Sequence, residues 1–265
     1  MRRRKLSRSK LAPWRALARG LGLALLVAGC ASVPPAPPPI SPDAQNARAL
    51  LERRWEEFRD LRSQAEIRIR RGNRTDRLSG VLLLRAPSSL RFEALSPFGT
   101  PVLVVAADAK TVTVWEVLGE RAYVLPASPE ANRRWLGLAM GTDELVALLA
   151  GRVLPAKDAT AVELLPADGV GPSLSLRADD TVQRIWFDPA SGQAREVQWT
   201  GGPNPARVVL SGGAPDAPPA AVTLATLDGK LEVAVKYRDP RMNTGFDPEL
   251  VKLTVPERVR IQEFR

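Results

Sequence analysis

The feature that most constrains this chain is a two-residue apolar period that sets in at Gln64 and returns, between turn-forming residues, almost to the C-terminus. Ala65, Ile67 and Ile69 alternate with Glu66, Arg68 and Arg70, which is the pattern of a strand with one polar face. Gly72-Asn73 supplies a turn into Arg77–Arg85 (RLSGVLLLR), whose centre, Val81–Leu84, is apolar on both faces. Further strands are expected at Leu90–Leu95, Val102–Ala107, Thr111–Val117 and Ala122–Leu125, with a loop at Ser96–Pro101. Short strands at such regular spacing predict an antiparallel meander that curls towards a barrel or sandwich. Two short helices interrupt it, at Asn132–Ala139 and Asp143–Ala150, with Thr142 as N-cap of the second and Gly151 as its stop. Strands resume at Ala161–Leu165, Ser173–Arg177, Thr181–Phe187, Glu196–Trp199, Arg207–Leu210, Ala221–Leu227 and Glu232–Tyr237. Asp228-Gly229 is a strong hairpin signal. Asn243–Val255 is apolar but irregular, with a last strand expected at Arg258–Gln262. The fold class is mainly β.

The segment ahead of the strands has a different period. Ser41-Pro42-Asp43 offers a capping hydroxyl, a proline for the first turn and an acid at the helix N-terminus. Ala47, Leu50, Leu51, Trp55, Phe58 and Leu61 then recur at three- and four-residue steps, predicting an amphipathic helix that ends near Arg62. Before it, Ala31–Pro42 holds six prolines and reads as a semi-rigid spacer. Met1–Gly20 carries eight Lys/Arg and no acid, and Leu21–Cys30 (LGLALLVAGC) follows as an apolar run ending in small residues and the only cysteine. A basic segment, a short apolar segment and small residues make a secretory signal peptide, since a bilayer crossing needs about 20 apolar residues. Val27–Cys30 resembles the lipobox of bacterial lipoproteins, in which cleavage precedes a cysteine that receives acyl chains. The expected organisation is a signal peptide over 1–29, a Pro-rich tether over 30–44 and one domain over 45–265.

That organisation changes what the charge means. The chain has a net charge of +9, but removing the peptide leaves 30 basic against 29 acidic residues. The excess belongs to the export signal, so nucleic acid is not an expected partner. Histidine is absent and the one cysteine is assigned to the anchor, which excludes Ser–His–Asp and Cys–His catalysis and any His- or Cys-based metal site. Asp179-Asp180 reads as a solvated turn, and Gly201-Gly202 and Gly212-Gly213 lack the strand–loop–helix setting of a phosphate loop. No enzyme, cofactor or metal is expected.

The order of elements, together with Trp55–Leu61 (WEEFRDL), Leu90–Gly99 (LRFEALSPFG) and Trp135–Leu149, resembles the LolB outer-membrane lipoprotein receptors and their relatives. In that family a strand ends in a turn that presents an apolar residue to solvent; Ser96-Pro97-Phe98-Gly99 stands in that place. The resemblance implies a half-open antiparallel β-barrel with an N-terminal helix and short lid helices over an apolar cavity. It also implies a receptor that takes lipoproteins from a LolA-like periplasmic carrier and releases them into the outer membrane. On this reading Leu82, Leu84, Phe92, Trp135, Leu145 and Leu149 are candidates for the acyl cavity. Val81–Leu84 would be covered inside by a lid or ligand and outside by a helix. Pro97, Phe98 and Gly99 would form a loop that inserts into the membrane, against the alternative that Phe98 tucks back onto the barrel. Ala31 after Cys30 implies the periplasmic face of the outer membrane, where a lipid-anchored monomer is expected. A filled core is the competing reading, belonging to a structural or assembly lipoprotein that docks onto another envelope protein and holds no ligand.

Overall fold

The computed structural model describes residues 40–264, apart from Leu138, Asn204 and Pro215 and the side chains of Trp135 and Leu136. Cys30, the expected cleavage site and most of the expected tether lie outside the described residues.

Helix α1 spans Pro42–Glu56, and its start follows the sequence closely: the Ser41 hydroxyl accepts a hydrogen bond from the Ala44 amide at 3.2 Å, with Pro42 in the first turn. Ala44, Ala47 and Leu51 are its buried residues, so the packed structure begins within the last residues assigned to the tether. The helix ends at Glu56 rather than near Arg62. Asn243, from the far end of the chain, clamps the exit: its Nδ2 donates to the Glu57 carbonyl and its Oδ1 accepts from the Arg59 amide, both at 2.8 Å. Leu61, which continues the helical spacing, is therefore a strand residue.

Strand β1 covers Asp60–Arg71, followed by β2 (Arg74–Arg85), β3 (Ser89–Leu95), β4 (Pro101–Ala107), β5 (Thr111–Glu116) and β6 (Arg121–Pro126). Helices α2 (Pro129–Leu136) and α3 (Thr142–Leu149) interrupt the meander, which resumes as β7 (Ala161–Leu165), β8 (Ser173–Ala178), β9 (Thr181–Phe187), β10 (Ala194–Gly201), β11 (Ala206–Ser211), β12 (Ala221–Thr226) and β13 (Leu231–Met242). A short 3-10 turn, Pro248–Val251, precedes β14 (Arg260–Glu263). Gly141, not Thr142, is the N-cap of α3; its amide donates to Glu144 Oε2 at 2.9 Å.

Among the described residues all fourteen strands form one sheet, ordered β14-β6-β5-β4-β3-β2-β1-β13-β12-β11-β10-β9-β8-β7. The first meander joins the second through β1 and β13, with Ala65 opposite Tyr237 and Ile67 opposite Val235. Every pairing is antiparallel except β14 on β6. β7 and β14 are the two ends and do not pair with each other, so the sheet is a half-open barrel.

Alternation assigns the faces. Leu61, Leu82, Leu84, Leu90 and Phe92 share the inner face of the first half, and Leu174, Leu176, Ile185, Val197, Val208 and Leu224 that of the second. Helix α3 serves both halves, with Leu148 packed into the second cluster and Val146 and Ala150 into the first. The Tyr237 hydroxyl donates to the Leu149 carbonyl at 2.8 Å and pins the end of α3 to β13; burial holds its pKa far above the usual tyrosine range. On the outer face Leu83 and Val104 are buried. The cover there is not the expected helix but the C-terminal segment, whose 3-10 turn packs on β2 and β3. Arg91 donates to the Lys252 carbonyl to hold it.

Candidate functional site

The cavity candidates named from sequence divide. Leu82, Leu84 and Phe92 are buried and packed against Val146 and Ala150 of α3, while Leu145 and Leu149 are partly buried against the same cluster. The side chain of Trp135 lies outside the described residues. Leu82, Leu84 and Phe92 thus sit beneath a helix, in a packed part of the inner face.

The open apolar space is further along the same face, where the sheet fails to close. Val112 and Val114 of β5, Tyr123 and Leu125 of β6, Ala131 and Asn132 of α2, and Phe264 line a groove of about 350 Å³, with Glu116 at one end. Register makes this a single row: Val112 faces Leu125, Val114 faces Tyr123, and Glu116 faces Arg121. Phe264 follows β14, donates its amide to Val124 at 2.9 Å and brings its ring to 6.3 Å from that of Tyr123. A groove of this size and lining lies within the range of small-ligand sites.

Helix α2 borders the groove and is held at both ends. The Ser128 hydroxyl accepts from the Ala131 amide at 3.1 Å, just beyond the end of β6. Its other end stops at Gly137, where φ is +82° and a Cβ would lie 3.1 Å from Leu231 Cδ2 of β13. Buried Asn132 donates to the Met140 carbonyl at 2.7 Å, tying α2 to the start of α3. Glu144, on α3, has its carboxyl pKa raised by burial, opposed by the hydrogen bond from Gly141. The groove residues lie in or beside elements expected from sequence, yet nothing local marked them. The available signal was the alternation of Thr111–Val117 and Ala122–Leu125; the β14 pairing that places Phe264 has no local signature.

The loop read as a membrane contact is well defined. Ser96 donates its amide to the Thr100 carbonyl at 2.8 Å, Gly99 donates to the Ser96 carbonyl at 2.9 Å, and the Ser96 and Thr100 hydroxyls meet at 2.7 Å. Gly99 has φ +80°, which lets the turn close. Phe98 between them is 93% exposed, so it projects and does not tuck back onto the barrel. Among the described residues no helix is long and apolar enough to cross a membrane.

An unclosed antiparallel sheet curled around an N-terminal helix and short interior helices defines the class to which this structure belongs. Solved structures of the same architecture include a "putative outer membrane lipoprotein-sorting protein domain" from Vibrio parahaemolyticus, at TM-score 0.55 and 11% identity over 78% of this chain and 95% of that one. A LolA superfamily protein from Nitrosomonas europaea matches at TM-score 0.50 and 11% identity, over 78% of this chain and 97% of the other. A DUF1329 family protein from Desulfovibrio piger matches at 0.56 and 8% identity, over 80% and 98%. The chain therefore shares its fold with these three structures. No protein-family model matches the sequence, and no curated protein does.

Proposed function

We propose that this chain is a lipid-anchored receptor that takes up acyl chains of lipoproteins or lipids in the groove beside α2 and passes them into the outer membrane. The observation that carries the reading is the apolar groove lined by Val112, Val114, Tyr123, Leu125 and Phe264 at the open side of the sheet. It supports acyl binding because its row of side chains is apolar along its length and carries Glu116 at one end, which suits an amphiphile. The fold shared with a lipoprotein-sorting domain supports the same class of ligand. In this reading Cys30 is acylated and holds the protein on the periplasmic face of the outer membrane, a LolA-like carrier delivers the cargo, and Phe98 guides it into lipid. The reaction is transfer without covalent chemistry, so no catalytic residue is assigned.

The test is Val114→Glu in the full chain. Water reaches an unfilled groove, so the carboxylate can stay solvated and the fold should survive, whereas in a filled core it would be buried unpaired. Saturable uptake of a fluorescent acyl probe should fall at least about tenfold, the effect of losing about 1.4 kcal/mol of apolar contact. Uptake equal to that of the unaltered chain, or no saturable uptake by either, would remove the receptor reading and favour a docking lipoprotein without ligand.

A further inference from the structure

Strand register places the β1–β2, β3–β4, β5–β6 and β12–β13 turns at one end of the sheet, around the end of the groove marked by Glu116. Their tips carry an uneven set of side chains. Phe98 on β3–β4 is 93% exposed, Leu118 on β5–β6 is 84% exposed and Leu227 on β12–β13 is 45% exposed. Between the Phe98 and Leu227 turns stands the β1–β2 hairpin, with Arg68, Arg70, Arg71, Arg74 and Arg77 against one acid of its own, Asp76. Its β2 arm outruns β3, whose pairing stops at Gly80 opposite Ala94, so the basic tip extends past its neighbour.

This charge is neutralised only in part. Arg68 and Arg70 share Glu232 at 3.1 and 3.0 Å, and Arg74 meets Asp76 at 3.0 Å. Arg71 and Arg77 are exposed and have no ion-pair partner among the described residues. Arg134, at the end of α2, is likewise exposed and unpaired and faces Arg71 and Lys230 across a cleft lined by Leu227 and Pro205. Of the other acids at this end, Glu66 pairs with Arg238, Glu120 with Arg258 and Asp228 with Lys230, while exposed Glu116 has no ion-pair partner among the described residues. Exposed Asp179-Asp180 lies on the β8–β9 turn, at the same end of the sheet but separated from the hairpin by the four strands β13, β12, β11 and β10.

We infer that the arginine-rich β1–β2 hairpin docks this end of the barrel onto an anionic lipid surface, with Phe98, Leu118 and Leu227 entering the interface around it. The inference extends the acyl-transfer reading, on which the same end faces the membrane. A lipid surface is the occupant favoured because projecting apolar tips flank unpaired guanidinium groups, matching the paired apolar and anionic layers of a bilayer. An acidic protein would explain the arginines but not three separate apolar tips. Each arginine near an anionic surface contributes about fivefold in partitioning, which is about 1 kcal/mol. The attraction falls off within a Debye length, about 3 Å at 1 M salt.

The experiment is hydrogen exchange of the full chain in nanodiscs of zwitterionic lipid and of the same lipid with about one-third anionic headgroups. Amides 71–77, 96–100, 117–120 and 227–230 should exchange more slowly in the anionic discs, and high salt should reverse this. The triple variant Arg71→Gln, Arg74→Gln, Arg77→Gln should lose the protection at all four tips, while amides of β9 and β10 keep theirs and report an intact fold. Equal exchange at the tips in both discs, or protection retained by the triple variant, would overturn the inference. So would protection that appears only when an acidic soluble protein is added. Acyl-probe uptake in the same discs separates the two readings, since its failure with tip protection intact would remove the receptor and leave the docking surface.

Discussion

At the scale of single residues, Phe98 is the clearest case of a side chain whose position packing does not explain. A phenylalanine that is 93% exposed adds almost nothing to stability, so Phe98→Glu should change the unfolding free energy by no more than about 0.5 kcal/mol. Burying the ring in lipid would contribute about 1.5–3 kcal/mol, well below what two or three acyl chains supply at about 0.8 kcal/mol per CH₂. The expected outcome is therefore specific: folding, anchoring and cargo uptake unchanged, and transfer of a labelled lipoprotein into vesicles abolished. Transfer at the unaltered rate would make Phe98 an idle loop residue. The Ser96–Thr100 loop was legible because Pro97 and Gly99 punctuate the chain there. The choice among apolar strand residues was not. Leu82 and Val114 are both apolar residues on inward-facing strand positions, and what separates them is that α3 covers one and leaves the other beside open space. Only the tertiary position of α3 carries that difference.

At the scale of elements, propensity and pattern located nearly every strand, because a half-buried antiparallel strand writes its face into every second residue. The boundaries failed where a distant residue decides them. The spacing from Ala47 to Leu61 is helical throughout, and the break at Glu56 is enforced by Asn243, which no local rule could have brought there. A second tertiary constraint acts at Gly80, the one glycine in the inner row of β2. A Cβ there would sit 1.8 Å from the Glu93 carbonyl oxygen, so β3 approaches β2 this closely only because the position is bare. Gly80→Ala must push backbone from backbone, and the expected loss is about 1–3 kcal/mol, the usual cost of overpacking. A lower urea midpoint with an unchanged slope would report it. A midpoint equal to that of the unaltered chain would mean that β2 and β3 part without strain, and that the close approach does not depend on the bare position.

At the scale of the whole molecule, two long-range pairings turn a pair of meanders into a half-open barrel. The β1–β13 pairing merges the halves and is central, whereas the β14–β6 pairing is parallel, peripheral and made by four exposed residues. The sequence anticipated a terminal strand but not its partner, since a parallel addition has no turn to announce it. Because β14 buries little of itself, its value lies in what it positions: it holds Phe264 against Tyr123 as a wall of the groove, and it covers the outer edge of β6. Removing residues 258–265 should therefore dissociate stability from function. The loss of buried Val259 and of the ladder on β6 should lower the unfolding free energy by about 1.5–3 kcal/mol, leaving the rest of the sheet folded. Acyl-probe affinity should fall by at least about tenfold, because one aromatic wall is gone. The bared β6 edge should also make the truncated chain associate with itself in a concentration-dependent way, which light scattering would detect. A truncated chain that binds the probe as tightly as the whole one would place the acyl site away from β5, β6 and Phe264, and with it the seat of the proposed transfer.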